Sequence, residues 1–298
     1  MNTTEERGRA VMAELAGRGA TWGSVLPVDG FAAIRGAGFE PVGQVFGAAV
    51  YPLAATAAVS CPGTAVPSLD PGAAARVTGW LGSGARIAQA LYDGYRTALD
   101  RMAGECSGLG GHGIVGTSLK VVETPGDSFT AATVEFKVIG TAVRASGCPP
   151  LARPFSTELS GQDFAKLLMD GWVPAGITLG ISVAGLHDTL LTTSSGPWGT
   201  GNAEVPAYTD LMVYVRQDAR SRLEQTVRGL GAEGVVVSAM TLHVRSDQCR
   251  AHPSGADHFA EAVITGTAVV RFAGRRGAAR SPSLTVLPLD AGGARQVR

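Results

Sequence analysis

The sequence predicts an α+β protein made of two tandem repeats, each an antiparallel sheet packed on one long helix with a short extra helix. Residues matched in type and order recur 133 positions apart, so that Phe31 and Gly47 return as Phe164 and Gly180. A later block recurs at a spacing of 121, and the tetrapeptide Gly-Thr-Ala-Val that begins at Gly140 returns at a spacing of 126. Spacings that change only where loops would lie indicate a duplicated domain.

Length and composition fit this organisation. The chain has 298 residues, of which 45% are hydrophobic, enough to fill two cores in units of about 130 residues. A linker with three prolines is stiff and short, so we expect the repeats to form one rigid unit. The predicted segments are an N-terminal helix at 1–21, repeat one at 22–144, a proline-rich linker at 145–154, repeat two at 155–272 and a disordered tail at 273–298.

Each repeat is predicted to begin with a short strand and a short helix. In repeat two the strand covers residues 155–159, and Ser160 is placed to cap a helix that runs to Asp170 and ends at Gly171. Repeat one has the same plan, with Asp29 near the helix cap.

The remaining elements of each repeat are a longer strand, a long helix and a hairpin. Glycines within the longer strands, at 42–50 and 175–183, indicate bends or close backbone approach. Apolar residues fall at helical spacing over 85–107 and 207–228. The predicted hairpins pair 114–123 with 128–143 and 235–244 with 258–272.

Charge and patterning exclude several classes of partner. A formal net charge of zero argues against nucleic acid or an anionic membrane as the main partner. The chain opens on a charged amphipathic pattern instead of a signal peptide, so we expect a cytoplasmic protein. Residues 41–69 carry no charge, but prolines and glycines interrupt them, which favours a strand followed by a loop over a membrane span.

Each repeat has a glycine-bearing turn that is followed later by a Gly-Thr-Ala-Val tetrapeptide: LGGHGIVG at 109–116 with IGTAV at 139–143, and LGAEGVVV at 230–237 with TGTAV at 265–269. These motifs resemble those of the YbjQ-like family, whose members are labelled heavy-metal-binding proteins. The resemblance covers residues 22–144 and 155–272. It implies a dodecin-like subunit fold and closed rings, which are pentameric in family members.

The sequence contains no GxSxG, Walker, HExxH or strand-to-helix GxGxxG motif, and we therefore expect no enzyme. The predicted strands 114–123 and 235–244 are apolar on both faces, and one helix can cover only one of them. The second face requires a partner, which is the other repeat, another chain or both. Together with the closed pentameric rings that the resemblance implies, this favours a homo-oligomeric ring with a scaffold or assembly role, and five is the favoured number of chains.

A cluster of metal-ligand residue types lies across the second predicted hairpin. If the two outer histidines flank the loop on paired strands, their rings could approach each other while the other two residues fold back from the tip. That arrangement would suit zinc or a softer divalent ion, and it would make the protein a metal-binding or sensing module. The alternative is a polar hairpin tip with its histidines in water. The candidate ligands are His243, Cys249, His252 and His258.

Two further sets of residues are candidates for function. Glu135 and Glu261 occupy the same position in both repeats, where a ring could use them to bind cations at a pore or to make ionic contacts between subunits. Trp80, Trp172 and Trp198 could line a small-molecule site at clefts between subunits, although packing is their commoner role.

The cysteines show no CxxC pairing, and the chain is too long to need disulfide bonds for its stability. Cys106 corresponds to Val227 at the spacing of 121, so we expect it to occupy a small apolar site in the core. The cysteines are Cys61, Cys106, Cys148 and Cys249.

Overall fold

The computed structural model describes residues 23–52, 83–124, 133–149, 151–187, 204–248 and 256–272. The predicted N-terminal helix, the second part of the charge-free segment and the C-terminal tail lie outside these ranges. The described residues form a mixed α+β fold with two sheets.

The order of elements is the same in the two halves of the chain, apart from one short additional strand. The first half contains α1 (Val28–Gly36), β1 (Phe39–Pro52), α2 (Ser83–Gly108), β2 (Gly113–Thr124) and β3 (Thr133–Ala145). The second half contains β4 (Phe155–Ser156), α3 (Gly161–Met169), β5 (Trp172–His187), α4 (Pro206–Gly229), β6 (Gly234–Gln248) and β7 (Ala256–Arg271).

Local sequence signals explain several boundaries. The Ser160 hydroxyl accepts a hydrogen bond from the Asp163 backbone N–H at 3.1 Å, so the predicted cap of α3 is confirmed. Gly171 follows α3 with a φ of 82°, a conformation that glycine adopts without strain. The predicted apolar series on the second long helix is buried along its whole length, at Leu211, Val215, Ala219, Leu223 and Val227.

Each half builds a sheet with its third strand in the middle. The strand orders are β1-β3-β2-β4 and β5-β7-β6. The neighbouring long strands are antiparallel, and the register shifts at corresponding places, between Pro41 and Gly43 in β1 and between Pro174 and Gly176 in β5. The exception is β4, which pairs parallel with β2 and thus joins the second half to the sheet of the first.

The long helix of the first half lies between the two sheets. Side chains of α2 form one apolar core with Val45 and Phe136 of the first sheet and with Leu179 and Ile181 of the second. Helix α4 covers the other face of the second sheet, where Leu211 and Leu223 pack with Ala260 and Ile264. The layers therefore follow the order first sheet, α2, second sheet, α4.

Two corresponding glycines permit the helices to approach the sheets. A side chain on Gly47 would overlap the backbone carbonyl of Ala98 in α2, and one on Gly180 would overlap the carbonyl of Ala219 in α4. The strand glycines predicted to mark close backbone approach thus lie directly beneath the two long helices.

The charge-free segment begins as a strand, since β1 extends to Pro52, and its remainder falls outside the described residues. Among the helices that the structure describes, none has the length and apolar character needed to cross a membrane.

Candidate assembly surfaces and the cleft between the sheets

Strand β6 is an exposed apolar edge. It is the last strand of the second sheet, and no other strand of the described chain pairs with its outer side. Edges of this kind are templates for pairing with another chain. Apolar side chains on both faces of β6 are between 37% and 53% exposed: Val236, Val237, Met240, Leu242 and Val244.

The corresponding edge of the first sheet is covered by the second half. Gly113 and Ile114 of β2 pair with Phe155 and Ser156 of β4, and the Thr157 backbone N–H donates to the Ile114 carbonyl at 2.9 Å. Behind this edge, Val115 is fully buried in a cluster with Ile34, Val143 and Phe164. Val236, which corresponds to Val115, is instead 38% exposed.

The outer face of the first sheet is a second exposed apolar surface. Phe46 is 43% exposed and Val50 is 62% exposed. The corresponding residues of the second sheet are Leu179 and Val183, which are buried against α2. The same positions are therefore covered in one half and open in the other.

The two glutamates that the sequence singles out lie on these corresponding faces. Glu135 is on the outer face of the first sheet, where its carboxylate pairs with Lys137 at 2.9 Å. Glu261 faces the space between the sheets. Burial raises the pKa of the Glu261 carboxyl, the nearby Glu123 raises it further, and Arg245 and His243 oppose the shift. The pair with Lys137 lies within one strand, so a contact between subunits and a pore role both stay predictions for these two residues.

A cleft of about 460 Å³ separates the two sheets beside α2. Arg245 of β6 and Glu123 of β2 close one side with an ion pair at 2.8 Å. Tyr95 of α2 also lines the cleft, and burial, reinforced by Glu261 and Glu158, raises its pKa to about 12. A phenol with that pKa stays protonated at neutral pH, and the Tyr95 ring packs edge-on against Phe136 with 5.0 Å between the ring centres.

The structure does not bring His243 and His258 together. His243 pairs with Glu261 across the ladder and lines the cleft, whereas His258 pairs with Ser246 and its Nε2 lies 3.0 Å from the Tyr208 hydroxyl on α4. Their positions are three residues apart in register, so the two rings lie on opposite faces of the sheet.

Cys249 and His252 lie outside the described residues. Within the described part of the chain, no group of three or more His, Cys, Asp or Glu side chains is arranged to hold a metal ion. A zinc site that uses Cys249 and His252 stays a prediction.

A second cavity, of about 420 Å³, lies where the halves meet. Its walls are mainly apolar and include Phe39, Phe155, Phe164 and Leu168. His112 contributes a polar edge, and its Nδ1 accepts a hydrogen bond from the Ala145 backbone N–H at 3.0 Å. The arrangement suits a small apolar ligand better than a charged one.

The described cysteines and tryptophan have identifiable roles. Cys106 is fully buried, which confirms its predicted place in the core, and burial raises the pKa of its thiol to about 12. Cys148 is exposed. The Arg271 guanidinium lies 4.6 Å from the centre of the Trp172 ring, which gives that ring a cation-π contact. The other predicted residues of these types, Cys61, Trp80 and Trp198, lie outside the described ranges.

Sequence reasoning missed two polar residues that make long-range hydrogen bonds, and the first of them joins the halves. Tyr92 accepts a hydrogen bond from the Ile181 backbone N–H, and Glu158 accepts one from the Thr265 hydroxyl at 3.1 Å. Burial raises the pKa of the Glu158 carboxyl. No periodic signal identifies either contact, because one depends on how the second sheet lies against α2 and the other on how residues 155–159 lie against β7.

Comparison with known proteins identifies a relative of this chain. The chain is 30% identical over 284 residues to the Encapsulin nanocompartment protein Rv1762c of Mycobacterium tuberculosis, an alignment that covers 90% of this chain and 91% of that protein. No family model matches the chain. No solved structure matches it either.

Proposed function

The chain belongs to the family of the encapsulin nanocompartment protein Rv1762c, and we propose from this premise that it is a non-enzymatic, self-assembling component of a protein nanocompartment. Its principal partner is further copies of itself, and it acts in the cytoplasm. The observation that carries this proposal is the β6 edge, which is apolar and exposed on both faces. Single chains seldom leave such an edge open.

The surface of the first sheet supports the same function. Phe46, Val50 and Val122 are each more than 40% exposed and lie on one face. Burial of apolar area contributes about 25 cal/mol per Å², so covering a face of this kind favours association.

The finer form of the proposal is a closed ring of dodecin-like, YbjQ-like units. The shared order of elements, the matching register shifts and the glycines beneath both long helices support two copies of one unit. A ring of five chains is the favoured assembly because rings in the family that the sequence resembles are pentameric.

Multi-angle light scattering on the purified, untagged protein tests the assembly. We expect a closed multiple of the 30.4 kDa chain mass that persists on dilution. A stable monomer at micromolar concentration would remove the proposal.

A second function, as a small-molecule carrier, is favoured by the apolar cavity between the halves. Native mass spectrometry of the purified protein should then show a bound species. Leu151 lines the cavity and is 49% exposed, so Leu151→Trp narrows the opening with little effect on folding. If the protein is a carrier, the bound species should be present in the unaltered protein and absent from Leu151→Trp. If both proteins show only the mass of the unliganded chain, the carrier function is excluded.

The metal-binding alternative has its own test. Elemental analysis of untagged protein, beside a Cys249→Ala/His252→Ala variant, measures the contribution of the hairpin tip. A site of the predicted kind lowers the zinc content of the variant, and equal zinc content in both proteins would exclude these ligands.

A further inference from the structure

The contact between the two halves is directional. Helix α2 of the first half packs on the second sheet, and the segment after the linker pairs with β2 of the first half. Helix α4, which corresponds to α2, packs on its own sheet and leaves its other side in solvent, with Val213 44% exposed. The first half therefore provides a helix face and a strand edge. The second half provides a sheet face and a pairing segment, residues 155–159.

The pairing segment has a counterpart at the start of the first half. Thr157 Oγ1 lies 2.9 Å from Thr267 Oγ1, and at the corresponding position Ser24 Oγ lies 3.1 Å from Thr141 Oγ1. The backbone N–H of the next residue donates to the same threonine in both halves, at 3.2 Å from Glu158 and 3.0 Å in the first half. Residues 23–27 therefore make the same hydrogen bonds to the first sheet as residues 156–160 make to the second.

The two segments differ in what lies on their other side. Thr157 donates its N–H to Ile114 of β2 and accepts from the Thr117 N–H at 3.0 Å. Residues 23–27 belong to neither sheet of the described chain. Val235 of β6 corresponds to Ile114, and no strand of the described residues pairs with its edge.

We propose that residues 23–27 of one chain pair with the β6 edge of a second chain, while α4 of that second chain packs on the outer face of the first sheet. The contact between chains then repeats the contact within each chain. This inference rests on the proposed function, since it identifies the surfaces through which the chain assembles with itself.

The residues at these positions are apolar on both sides of the inferred contact. Tyr92 of α2 contacts Ile181 in the second sheet, beside Leu179 and Val183. The corresponding contact between chains places Val213 of α4 against the face that carries Phe46, which is exposed in the single chain.

The charges are complementary too. Glu261 and Tyr95 line the same cleft between the sheets. At the corresponding positions, Arg216 of α4 meets the face of the next chain where Glu135 pairs with Lys137, so a second cation faces that carboxylate across the interface.

One position departs from the correspondence. Gly116 lies between Ile114 and Thr117, the two residues of β2 that bond to Thr157, and has a φ of 68°. Val237 stands at its place in β6, and the described residues other than glycine have no positive φ. The carried-over pairing is therefore the part before this bulge, at Val235.

A directional contact generates either a closed ring or an open filament. Because each chain contributes two consecutive units, every closed ring of whole chains contains an even number of units. A ring of five units is thereby excluded, whereas a ring of five chains is allowed.

Two variants of the full chain test the interface. Phe46→Asp charges the sheet face and Val213→Asp charges the helix face, and both residues are exposed, so each variant keeps its fold. We expect each variant alone to lose assembly and to run at the 30.4 kDa mass of one chain. Mixed in equal amounts, they should form one complex of two chains, because each still offers the surface that the other has lost.

The matched control is Met169→Asp. Met169 is 71% exposed and corresponds to Gly36, where an added side chain meets no atom within 4 Å. This variant should assemble as the unaltered protein does.

The outcomes separate this inference from the proposed function. A monomeric unaltered protein overturns both. An unaltered protein that assembles, with both variants assembling equally well, overturns the interface alone. Two variants that stay monomeric when mixed also overturn it, because a directional contact must allow one complex of two chains.

Discussion

The hydroxyl of Tyr92 accepts a hydrogen bond from the Ile181 backbone N–H at 2.8 Å, which ties the long helix of the first half to the central part of strand β5. The bond lies in the layer where α2 separates the two sheets. Burial raises the pKa of the Tyr92 phenol, with the bond to Ile181 opposing this effect. The two halves thus share polar as well as apolar contacts.

Replacing Tyr92 with phenylalanine should destabilise the whole chain. The Ile181 N–H would remain buried without its acceptor, which costs about 1–3 kcal/mol. Urea unfolding followed by circular dichroism should show a midpoint lower than that of the unaltered protein. Tyr214→Phe is the matched control, because Tyr214 is 40% exposed on α4, and its midpoint should not change. Equal midpoints for both variants would show that the bond contributes nothing.

Gly180→Ala should separate α4 from the second sheet. The added methyl group would overlap the Ala219 carbonyl, so the helix must move, and overpacking of this kind costs about 1–3 kcal/mol. Gly176→Ala, in the same strand, is the control because its methyl group would meet no atom within 4 Å. Thermal unfolding should show a lower midpoint for Gly180→Ala alone. A stable Gly180→Ala variant would contradict the close approach of helix and strand.

Glu261→Gln should raise stability at neutral pH. Burial, and then Glu123, raises the folded-state pKa of this carboxyl above its unfolded value of 4.5, so the folded state favours the protonated form. The stability that protonation contributes is fully present below pH 4.5 and is lost as the pH rises through the folded-state pKa. The glutamine side chain is neutral at every pH, so the Glu261→Gln variant does not lose this stability as the pH rises.

The measurement is the free energy of unfolding from pH 4 to pH 8 for both proteins. The difference should grow as the pH rises and should vanish in acid. Glu135→Gln is the control, because Glu135 lies on the outer face and pairs with Lys137. A variant that is less stable at neutral pH would mean that the carboxylate is held by its neighbours more strongly than burial opposes it.

Alkylation should distinguish the two described cysteines. With a thiol pKa of about 12 and no exposed surface, Cys106 is protonated and protected at pH 8. Iodoacetamide should therefore modify the exposed Cys148 in the folded protein and should modify Cys106 only after denaturation, as peptide mass spectrometry would reveal. Modification of Cys106 at the rate of Cys148 under native conditions would indicate that the core around α2 opens readily.

The sequence was sufficient for the elements and insufficient for the way the two halves meet. Periodicity placed the second long helix at 207–228, and the structure has Pro206–Gly229, because a buried series at every fourth residue is a local signal. The Ser160 cap depends on residues three apart and was equally predictable.

Contacts between the halves depend on distant parts of the chain. The segment 155–159 was predicted as the first strand of its own repeat, yet Phe155 and Ser156 pair with β2 of the other half. In the same way, His243 lies on β6 and His258 on β7, so the faces that they occupy follow only from the register between the two strands. Residue types and spacing alone could suggest those histidines as metal ligands, but they could not give that register.

Dividing the chain should expose what each half covers in the other. Fragment 1–148 would lose the cover over Tyr92 and over the edge of β2, and fragment 151–298 would expose Leu179 and Ile181, which are buried in the intact chain. Apolar faces of this size left in water favour aggregation. We expect each fragment to be poorly soluble alone, and we expect co-expression to recover a complex with the circular dichroism spectrum of the intact protein.

Size-exclusion chromatography of the co-expressed pair provides the measurement. Two fragments that fold separately and elute apart when mixed would show that the halves are independent modules, and that the contacts of α2 with the second sheet do not hold the chain together.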